Sequence, residues 1–412
     1  MYKRQLAERD FFSAVLAYWD GNSVECQRLC EAALAAWPGH SRMVACEARV
    51  YRALAQHMNG DTKLALQLLR SDVRNADKDS ALFVTRLLAA LSFVHILNGD
   101  PELAYESARQ LDAVAVNANL PYARFWAEVP SGISSFYAAR FDRAKEHFAF
   151  CAENPYGFEI RAAADAFAGL ALCEQFTGSP QQAMATLEKA AAIISEIHDA
   201  ESSDVVESGR ARVQLLQGNT KAALRWARVA SIESSPSAMF IWHEVPEITQ
   251  HRILIAVGTT AEREKSLDDL VDLRSQLEAC NSVNHVIRVA VLQSLALEKL
   301  DRSTEAKATL LECIELAEPV GWIEPFVEAG EPLLGGLATL AEAGHSREFI
   351  RSVLTAHDRY VAASNRSQSA GIATPYVLDS VGLTDLTRRE LDILELLAHR
   401  LQNKQIGARL NI

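Results

Sequence analysis

A short phrase recurs along this chain at a nearly constant spacing, and that spacing is the strongest restriction on the fold. Each copy runs from a glycine, once an alanine, through polar residues to an alanine or other small residue five positions on. The copies begin at Gly21, Gly60, Gly99, Ala139, Gly178 and Gly218. Their intervals are 39, 39, 40, 39 and 40 residues; a weaker copy begins at Asp301, and a degenerate one fits near Gly258. Such a period is typical of a repeat array and does not arise from a single globular core.

Apolar helical segments flank each copy of the phrase. Residues 81–97 precede the third copy, and residues 102–116 follow it. The glycine is expected to end the first helix, and the polar residues, often with Asp or Pro, to start the second. Each repeat is therefore predicted to be a helical hairpin, as in tetratricopeptide repeats of about 34 residues, but with longer helices. Eight stacked hairpins of about 40 residues predict an all-α superhelix with an elongated inner surface.

Glycine, proline and acidic residues are dense between Ala317 and Leu334, after the repeats. The distinctive residues are, in order, Gly321, Trp322, Phe326, Glu328, Gly330, Glu331 and Pro332. An ordinary turn between helices is one interpretation, because Gly and Pro punctuate such connections. The segment also resembles the element that follows the helical repeats in MalT-like regulators, the large ATP-binding branch of the LuxR family. With the upstream array, the resemblance extends over nearly the whole chain.

Residues 383–412 carry a second pattern, two short amphipathic helices separated by a tight turn. Thr387 and Glu390 form a capping box ahead of four leucines at helical spacing, and Asn403 is placed to cap the following helix. The segment resembles the start of a LuxR-type helix-turn-helix, with matching positions that include Thr387, Arg389, Glu390, Asn403 and Lys404. The family's recognition helix would begin after residue 412.

Three positions depart from that family pattern. Arg400 stands at the usual inter-helix glycine, Gln402 replaces the capping serine, and Gly407 replaces an alanine of the second helix. Glycine inside a helix costs about 1 kcal/mol relative to alanine. A plain helical hairpin remains the alternative interpretation of the tail.

These patterns divide the chain into three parts. They are a tetratricopeptide-like superhelical sensor or interaction domain at 1–362, a flexible linker rich in Ser, Ala, Asn and Gly at 363–385, and an incomplete helix-turn-helix at 386–412. The chain carries a net charge of −12, while 386–412 has five basic and three acidic residues, or +2, which leaves −14 on the remainder. Because an acidic body repels phosphates, DNA contact is expected only in the tail and beyond it.

The resemblance implies a DNA-binding transcriptional regulator that self-associates on activation. It implies a nucleotide-binding domain ahead of the array, an inducer or regulatory protein bound to the superhelix, and transcription regulation through the LuxR-type domain. No phosphate-loop motif occurs in these 412 residues, so no cofactor is expected in this chain and ATP is assigned to a preceding domain. Residues 1–5 join abruptly onto a repeat, and the chain is expected to be a fragment of a longer gene product. The alternative function is a scaffold that binds a protein partner without binding DNA.

Candidate ligand residues lie in two segments that place an aromatic ring near acids and a proline. They are Trp126 in the first segment, and Trp242, His243 and Glu244 in the second. The first helices of the hairpins are the expected inner wall, and such rings would suit a sugar, a peptide or an aromatic ligand. The competing interpretation is that Trp126 and Trp242 wedge adjacent repeats together.

Other chemistry is not indicated by the sequence. The scattered His and carboxylate pairs form no recognisable nucleophile, metal or acid–base set, so we do not expect an enzyme. The seven cysteines lack zinc spacing and are expected to be buried thiols. Because neither an 18-residue apolar run nor a secretory signal occurs, a cytoplasmic protein without a membrane span is expected.

Overall fold

The structure is a computed structural model that describes residues 2–36, 42–76, 80–232 and 241–372. These residues form α-helices and one short 3-10 helix and contain no β-strand. The helices, in chain order, are α1 (Tyr2–Trp19), α2 (Ser23–Ala36), α3 (Arg42–Met58), α4 (Thr62–Asn75), α5 (Ala81–Leu97), α6 (Pro101–Asn117), α7 (Pro121–Tyr137), α8 (Phe141–Glu153), α9 (Ile160–Phe176), α10 (Pro180–Ile197), α11 (Ala200–Leu216), α12 (Thr220–Val229), α13 (Pro246–Val257), α14 (Thr260–Ala279), α15 (Val283–Lys299), α16 (Ser303–Ala317), α17 (Glu324–Ala329), α18 (Glu331–Glu342) and α19 (Arg347–Ile372). The 3-10 helix, Glu318–Val320, lies between α16 and α17.

Helices α1 to α16 pair into eight hairpins, which confirms the predicted superhelix of tetratricopeptide-like repeats. The recurring phrase is the turn inside each hairpin. Five of its glycines adopt a left-handed backbone, with φ between 74° and 90°, a conformation that costs glycine nothing. The same turn is made by Ala139 at φ 55° and by Asp301 at φ 59°.

The degenerate seventh hairpin turns differently. Gly258 has an extended backbone, φ −75° and ψ 176°, in place of the left-handed one. The second helix of this hairpin, α14, instead starts with a capping box in which Thr259 and Glu262 satisfy each other's backbone N–H groups. A helix cap therefore replaces the glycine turn at this hairpin.

Small residues let the helices of a hairpin approach closely, as predicted. Ala104 and Ala306 occupy the small position of their repeats and are almost fully buried. Opposite them, Ser92 and Ser294 each donate a hydrogen bond of 3.0 Å to the alanine carbonyl across the hairpin. Because the same bond recurs in two repeats, it belongs to the repeat geometry.

The first helices form the interior of the stack. In α9 every residue from Arg161 to Phe176 is buried, whereas the second helices keep one exposed face. Phe148 shows how tight the packing is, because a Cβ added to Gly132 on α7 or to Gly169 on α9 would lie 2.7 Å from its ring. These two glycines therefore make room for one phenylalanine between adjacent hairpins.

The array curves so that its last hairpins contact its second and third. Asn281, at the start of the eighth hairpin, donates a 3.0 Å hydrogen bond to the Met58 carbonyl. Gly99, in the third turn, lies against Val283 and Val320. Residues 1–364 accordingly form one compact unit.

Helix α19 continues to Ile372, past residue 363 where the sequence predicts the linker to start. Packing holds the helix up to that point, because Ala363 lies against the Gly178 turn and the ring centroids of Tyr360 and Phe176 are 4.8 Å apart. Residues 373–412 lie outside the described part, and with them the rest of the linker and the tail residues Thr387, Arg389, Glu390, Asn403 and Lys404.

No helix in the described ranges combines the length and the apolar character needed to cross a bilayer.

Candidate functional site

A cavity of 380 Å³ lies against the first helices of the first four hairpins, α1, α3, α5 and α7. Six aromatic side chains line it, namely Trp19, Tyr51, Phe83, Phe93, Tyr122 and Trp126. Its charged lining residues are Glu47, Arg86 and Glu159. The volume is within the range of roughly 300–1,000 Å³ that is usual for small-molecule sites.

Helical periodicity brings these side chains together. On α3, Glu47, Tyr51 and Leu54 are spaced so that they share one face, and all three line the cavity. On α5, Phe83 and Arg86 are three residues apart, so they also share one helix face, and both line the cavity. Since successive first helices lie side by side, each contributes one stripe to a shared wall.

The polar groups of the cavity differ in how well they are paired. Arg86 donates from Nε and Nη2 to the two carboxylate oxygens of Glu47, at 2.6 and 2.7 Å. Trp126 packs edge-on against Phe93 and is only 6% exposed, yet its Nε1 has no acceptor among the described residues. Trp126 thus packs against a neighbouring first helix and also lines the cavity, while its role in ligand binding stays a prediction.

Trp242, His243 and Glu244 are buried inside the stack and do not line this cavity. The guanidinium of Arg161 lies 4.6 Å from the centroid of the Trp242 ring, which is 8% exposed. His243 is fully buried, with the ring of Phe136 4.3 Å away. Trp242 therefore shares a buried cluster with Trp126, but Trp242, His243 and Glu244 are not part of the cavity wall.

Asp165 holds this second segment in place. Its carboxylate accepts hydrogen bonds from the backbone N–H of His243 at 2.8 Å and of Glu244 at 2.7 Å. Burial, followed by the positive charge of Arg212, lowers the pKa of His243 well below its usual value. The imidazole is therefore neutral at physiological pH and serves as a packing group in this conformation.

Glu244 belongs to a buried charge cluster centred on Arg212. The Arg212 guanidinium, fully buried, lies 2.8 Å from Glu244, 3.2 Å from Glu324 and 2.5 Å from Glu328. Arg252 adds a second ion pair to Glu328, at 2.9 Å. The cluster joins α11 and α13 to α17, the helix within the Gly- and Pro-rich element.

The two glutamates of α17, Glu324 and Glu328, lie in the same buried charge cluster, but their pKa values are shifted in opposite directions. Burial raises the pKa of Glu328, but the charges of Arg212 and Arg252 outweigh it and hold that pKa well below its usual value. Burial, and then the charge of Glu328, raise the pKa of Glu324 to about 8. At neutral pH we assign a proton to Glu324 and a full negative charge to Glu328.

Trp322, in the same element, reaches the turn of the third hairpin. Its ring stacks on Tyr137 with centroids 4.0 Å apart, and its Nε1 donates a 2.7 Å hydrogen bond to the Gly99 carbonyl. The next residue, Ile323, donates its N–H to the Tyr137 carbonyl at 2.8 Å. Left-handed φ angles of 70° at Gly321 and 68° at Gly330 shape the backbone at the two ends of this segment. The element is thus a fixed part of the array and more than a surface turn.

Sequence reasoning found Trp322 and Glu328 through the resemblance, but it missed their partners Arg212 and Arg252. A usable signal was present, since these two arginines fall about one repeat apart, each inside a first helix. All seven cysteines carry free thiols, of which only that of Cys280 is partly exposed. Within the described ranges, no three His, Cys, Asp or Glu side chains are placed to hold a metal ion.

Comparison with known proteins agrees with this architecture. The model of the family described as the MalT-like TPR region matches residues 8–343, from within α1 through the end of α18. The HTH-type transcriptional regulator MalT of Yersinia enterocolitica is 24% identical over 98% of this chain. The proteins of that name from Serratia proteamaculans and Yersinia pestis are each 23% identical over 98% of the chain.

Each of these alignments covers 46% of the relative, so the chain spans about half the length of the curated relatives it matches. The repeat period, the pairing of the helices and the Gly- and Pro-rich element between Ala317 and Leu334 all agree with the family match, which extends over most of the chain. The chain therefore belongs to the MalT-like TPR region family.

Proposed function

We propose that this chain is part of a transcriptional regulator, with the helical repeats as its sensor and the tail as the start of its DNA-binding domain. The observation that carries the proposal is the similarity to proteins named as HTH-type transcriptional regulators over 98% of the chain. Helical-repeat arrays bind ligands and partners over their inner surfaces, which suits a sensor. In this proposal the chain acts by binding and catalyses no reaction.

Inducer sensing is assigned to the cavity beside Trp126. The same helix, α7, carries Tyr122 and Trp126 at the cavity and ends at Tyr137, on which Trp322 stacks. A ligand that tilts α7 would therefore disturb the contact between the array and the Gly- and Pro-rich element. This path is the physical route that we propose for transmitting ligand binding toward the C-terminal segment.

DNA contact is assigned to the DNA-binding domain that starts in the tail, in which Arg389 and Lys404 supply positive charge and Thr387, Glu390 and Asn403 are predicted to cap two helices. The proposed partners are DNA, a small-molecule inducer or regulatory protein, and a second copy of the regulator on activation. We propose that the chain binds no cofactor itself, that ATP belongs to a domain ahead of it, and that the protein works in the cytoplasm.

Selective DNA binding by the gene product that contains this chain tests the proposal. Fragments of genomic DNA that it retains should share a sequence, and its affinity for them should fall steeply as salt rises. Lys404→Ala should weaken binding to all fragments and reduce the salt dependence, as loss of a phosphate contact does. Lys307→Ala, in the array, is the control with the same charge change.

A protein-interaction scaffold without DNA binding is the alternative. The cavity wall formed across four consecutive hairpins favours it, because an extended peptide could lie along such a surface. If DNA retention shows neither sequence preference nor salt dependence, with and without candidate inducers, the scaffold replaces the regulator.

A further inference from the structure

Among the described residues, the buried apolar side chains form two large cores, whereas a compact unit usually has one contiguous core. The first core takes most of its side chains from α1 to α5, and the second takes most of its side chains from α8 to α19. In α7, Ala123, Trp126 and Ala127 belong to the first core, while Phe125 and the core side chains from Val129 onward belong to the second. The boundary between the two cores therefore crosses α7.

Helix α7 is weakest at that boundary, where Pro130, Ser131 and Gly132 follow one another. Pro130 has no N–H, so it cannot donate the usual helical hydrogen bond to the Trp126 carbonyl. Ser131 donates from Oγ to the Ala127 carbonyl at 2.7 Å, a type of contact that tends to bend helices. Among the described helices, α7 alone carries a proline beyond its first turn. A change of angle between the two parts of α7 is therefore easiest at this point.

The hairpins on the two sides of the boundary also meet through hydrogen bonds far from α7 in sequence. Trp322, a member of the second core, donates its Nε1 to the Gly99 carbonyl in the turn of the third hairpin at 2.7 Å. Asn281, before the eighth hairpin, donates to the Met58 carbonyl in the second hairpin at 3.0 Å. We call these two bonds the clasp. Each involves one donor and one backbone carbonyl, so the clasp can open while both cores stay packed.

We infer that α7 is a hinge at Pro130–Gly132 between two blocks of the array, the first three hairpins and the remaining five, and that the clasp holds the two blocks together. When the clasp opens, the first block rotates as a unit because it has a core of its own. The cavity wall comes from α1, α3 and α5 in the first block and from α7 at the hinge, so this rotation changes the cavity. A ligand that prefers one arrangement of the blocks shifts the equilibrium between them. The inference rests on the proposed sensing role of the cavity and supplies its motion.

Distances between spin labels on the full chain, measured by double electron–electron resonance, test the inference. Exposed Lys63→Cys and Lys307→Cys carry the labels, one in each block, and Cys280→Ser removes the partly exposed native thiol. Trp322→Phe keeps a ring against Tyr137 but removes the bond to the Gly99 carbonyl. It should broaden the distance distribution of this pair and shift its maximum by several ångströms.

A label pair within one block is the control. Lys221→Cys and Lys307→Cys are both exposed and both lie in the second block, so their distance distribution should not respond to Trp322→Phe. Asn281→Gly breaks the other clasp bond and suits the left-handed backbone there, φ 56°, so it should also broaden the distribution between blocks. It replaces Trp322→Phe in the test if that variant does not fold.

The hinge is tested by Pro130→Ala, which restores the helical N–H in α7. Added to either clasp variant, it should return the distribution between blocks toward that of the wild type. The inference is overturned if neither clasp variant changes this distribution, if the pair within the second block changes as much, or if Pro130→Ala leaves the broadened distribution unaltered. The measurement uses neither DNA nor an inducer, so its failure and failure of the regulator proposal are distinguishable.

Discussion

Trp322, which follows the eighth hairpin, stacks on Tyr137, which ends the first helix of the fourth, with ring centroids 4.0 Å apart and planes inclined by 18°. The contact ties a segment beyond the array to the middle of the array. Both rings are almost fully buried. The stacking therefore fixes the curvature of the hairpins as well as the position of the C-terminal element.

Truncation of Trp322 should weaken this closure. Because the side chain is buried and its N–H is bonded to the Gly99 carbonyl, Trp322→Ala should destabilise the protein by about 3–5 kcal/mol in urea unfolding. Amide hydrogen exchange at Gly99 and its neighbours should accelerate in the variant. Trp226→Ala, at a partly exposed residue of α12, should leave that exchange unchanged. Equal effects of the two variants would show that Trp322 does not hold the Gly99 turn in place.

Arg212 should be the most sensitive single charge in the array. Arg212→Met leaves the charged Glu244 and Glu328 buried without their main cation, which should cost roughly 3–5 kcal/mol of unfolding free energy. Adding Glu244→Gln and Glu328→Gln to Arg212→Met should recover part of the loss, because fewer uncompensated charges remain buried.

A surface pair supplies the control for that experiment. Arg228 forms an ion pair with Glu262 at 2.7 Å, but its side chain is 48% exposed, so Arg228→Met should leave the unfolding free energy nearly unchanged. If the triple variant were no more stable than Arg212→Met alone, uncompensated charge would not explain the loss.

The raised pKa of Glu324 predicts a stability that falls with rising pH. Its pKa is about 8 in the folded chain against an ordinary value of 4.5, so the folded state binds more protons between these values. Stability must therefore decrease as pH rises through this window. Glu324→Gln, which imitates the protonated form, should flatten the decrease in the urea midpoint between pH 6.5 and pH 9.

Two nearby groups act outside this pH range or in the opposite sense. The pKa of Glu328 is depressed, so its contribution is lost only as pH falls below the ordinary carboxyl range. The pKa of His243 is also lowered, so its contribution increases as pH rises toward 6.5. Glu331→Gln, an exposed neighbour of α17, is the control and should keep the wild-type slope. An unchanged slope in Glu324→Gln would refute the assignment.

The sequence predicts the array well because each hairpin depends on local chemistry. A left-handed turn needs Gly or a tolerated substitute, and a close helix pair needs a small residue, so both recur once per repeat. Even the degenerate copy near Gly258 is a hairpin, since Thr259 and Glu262 cap its second helix. These features are visible without knowing how the hairpins stack.

The site is less predictable because it depends on the accumulated curvature of the stack. Trp126 and Trp242 occur in similar sequence surroundings, yet one lines a cavity and the other packs under Arg161. Small rotations between successive repeats add up along the stack, and their sum decides which face of a first helix contacts the Gly- and Pro-rich element. The repeat spacing of Arg212 and Arg252 marks them as a pair, but no local pattern shows that the summed rotations bring them to the glutamates of α17.

The turn of the fourth hairpin offers a test of the repeat rule itself. Ala139 adopts φ 55° where most other hairpins have glycine, a conformation that costs an L-residue roughly 1–2 kcal/mol. Ala139→Gly should therefore raise the unfolding free energy by about 0.5–1 kcal/mol after the greater flexibility of the unfolded glycine is subtracted.

Gly218→Ala should lower the unfolding free energy by about as much, because a Cβ there meets nothing within 4 Å and only the backbone is strained. Gly335→Ala, equally open but with an ordinary helical backbone, should instead stabilise α18 by about 0.5–1 kcal/mol. If Gly218→Ala and Gly335→Ala changed the unfolding free energy in the same direction, the need for a left-handed turn would not explain why glycine recurs once per repeat.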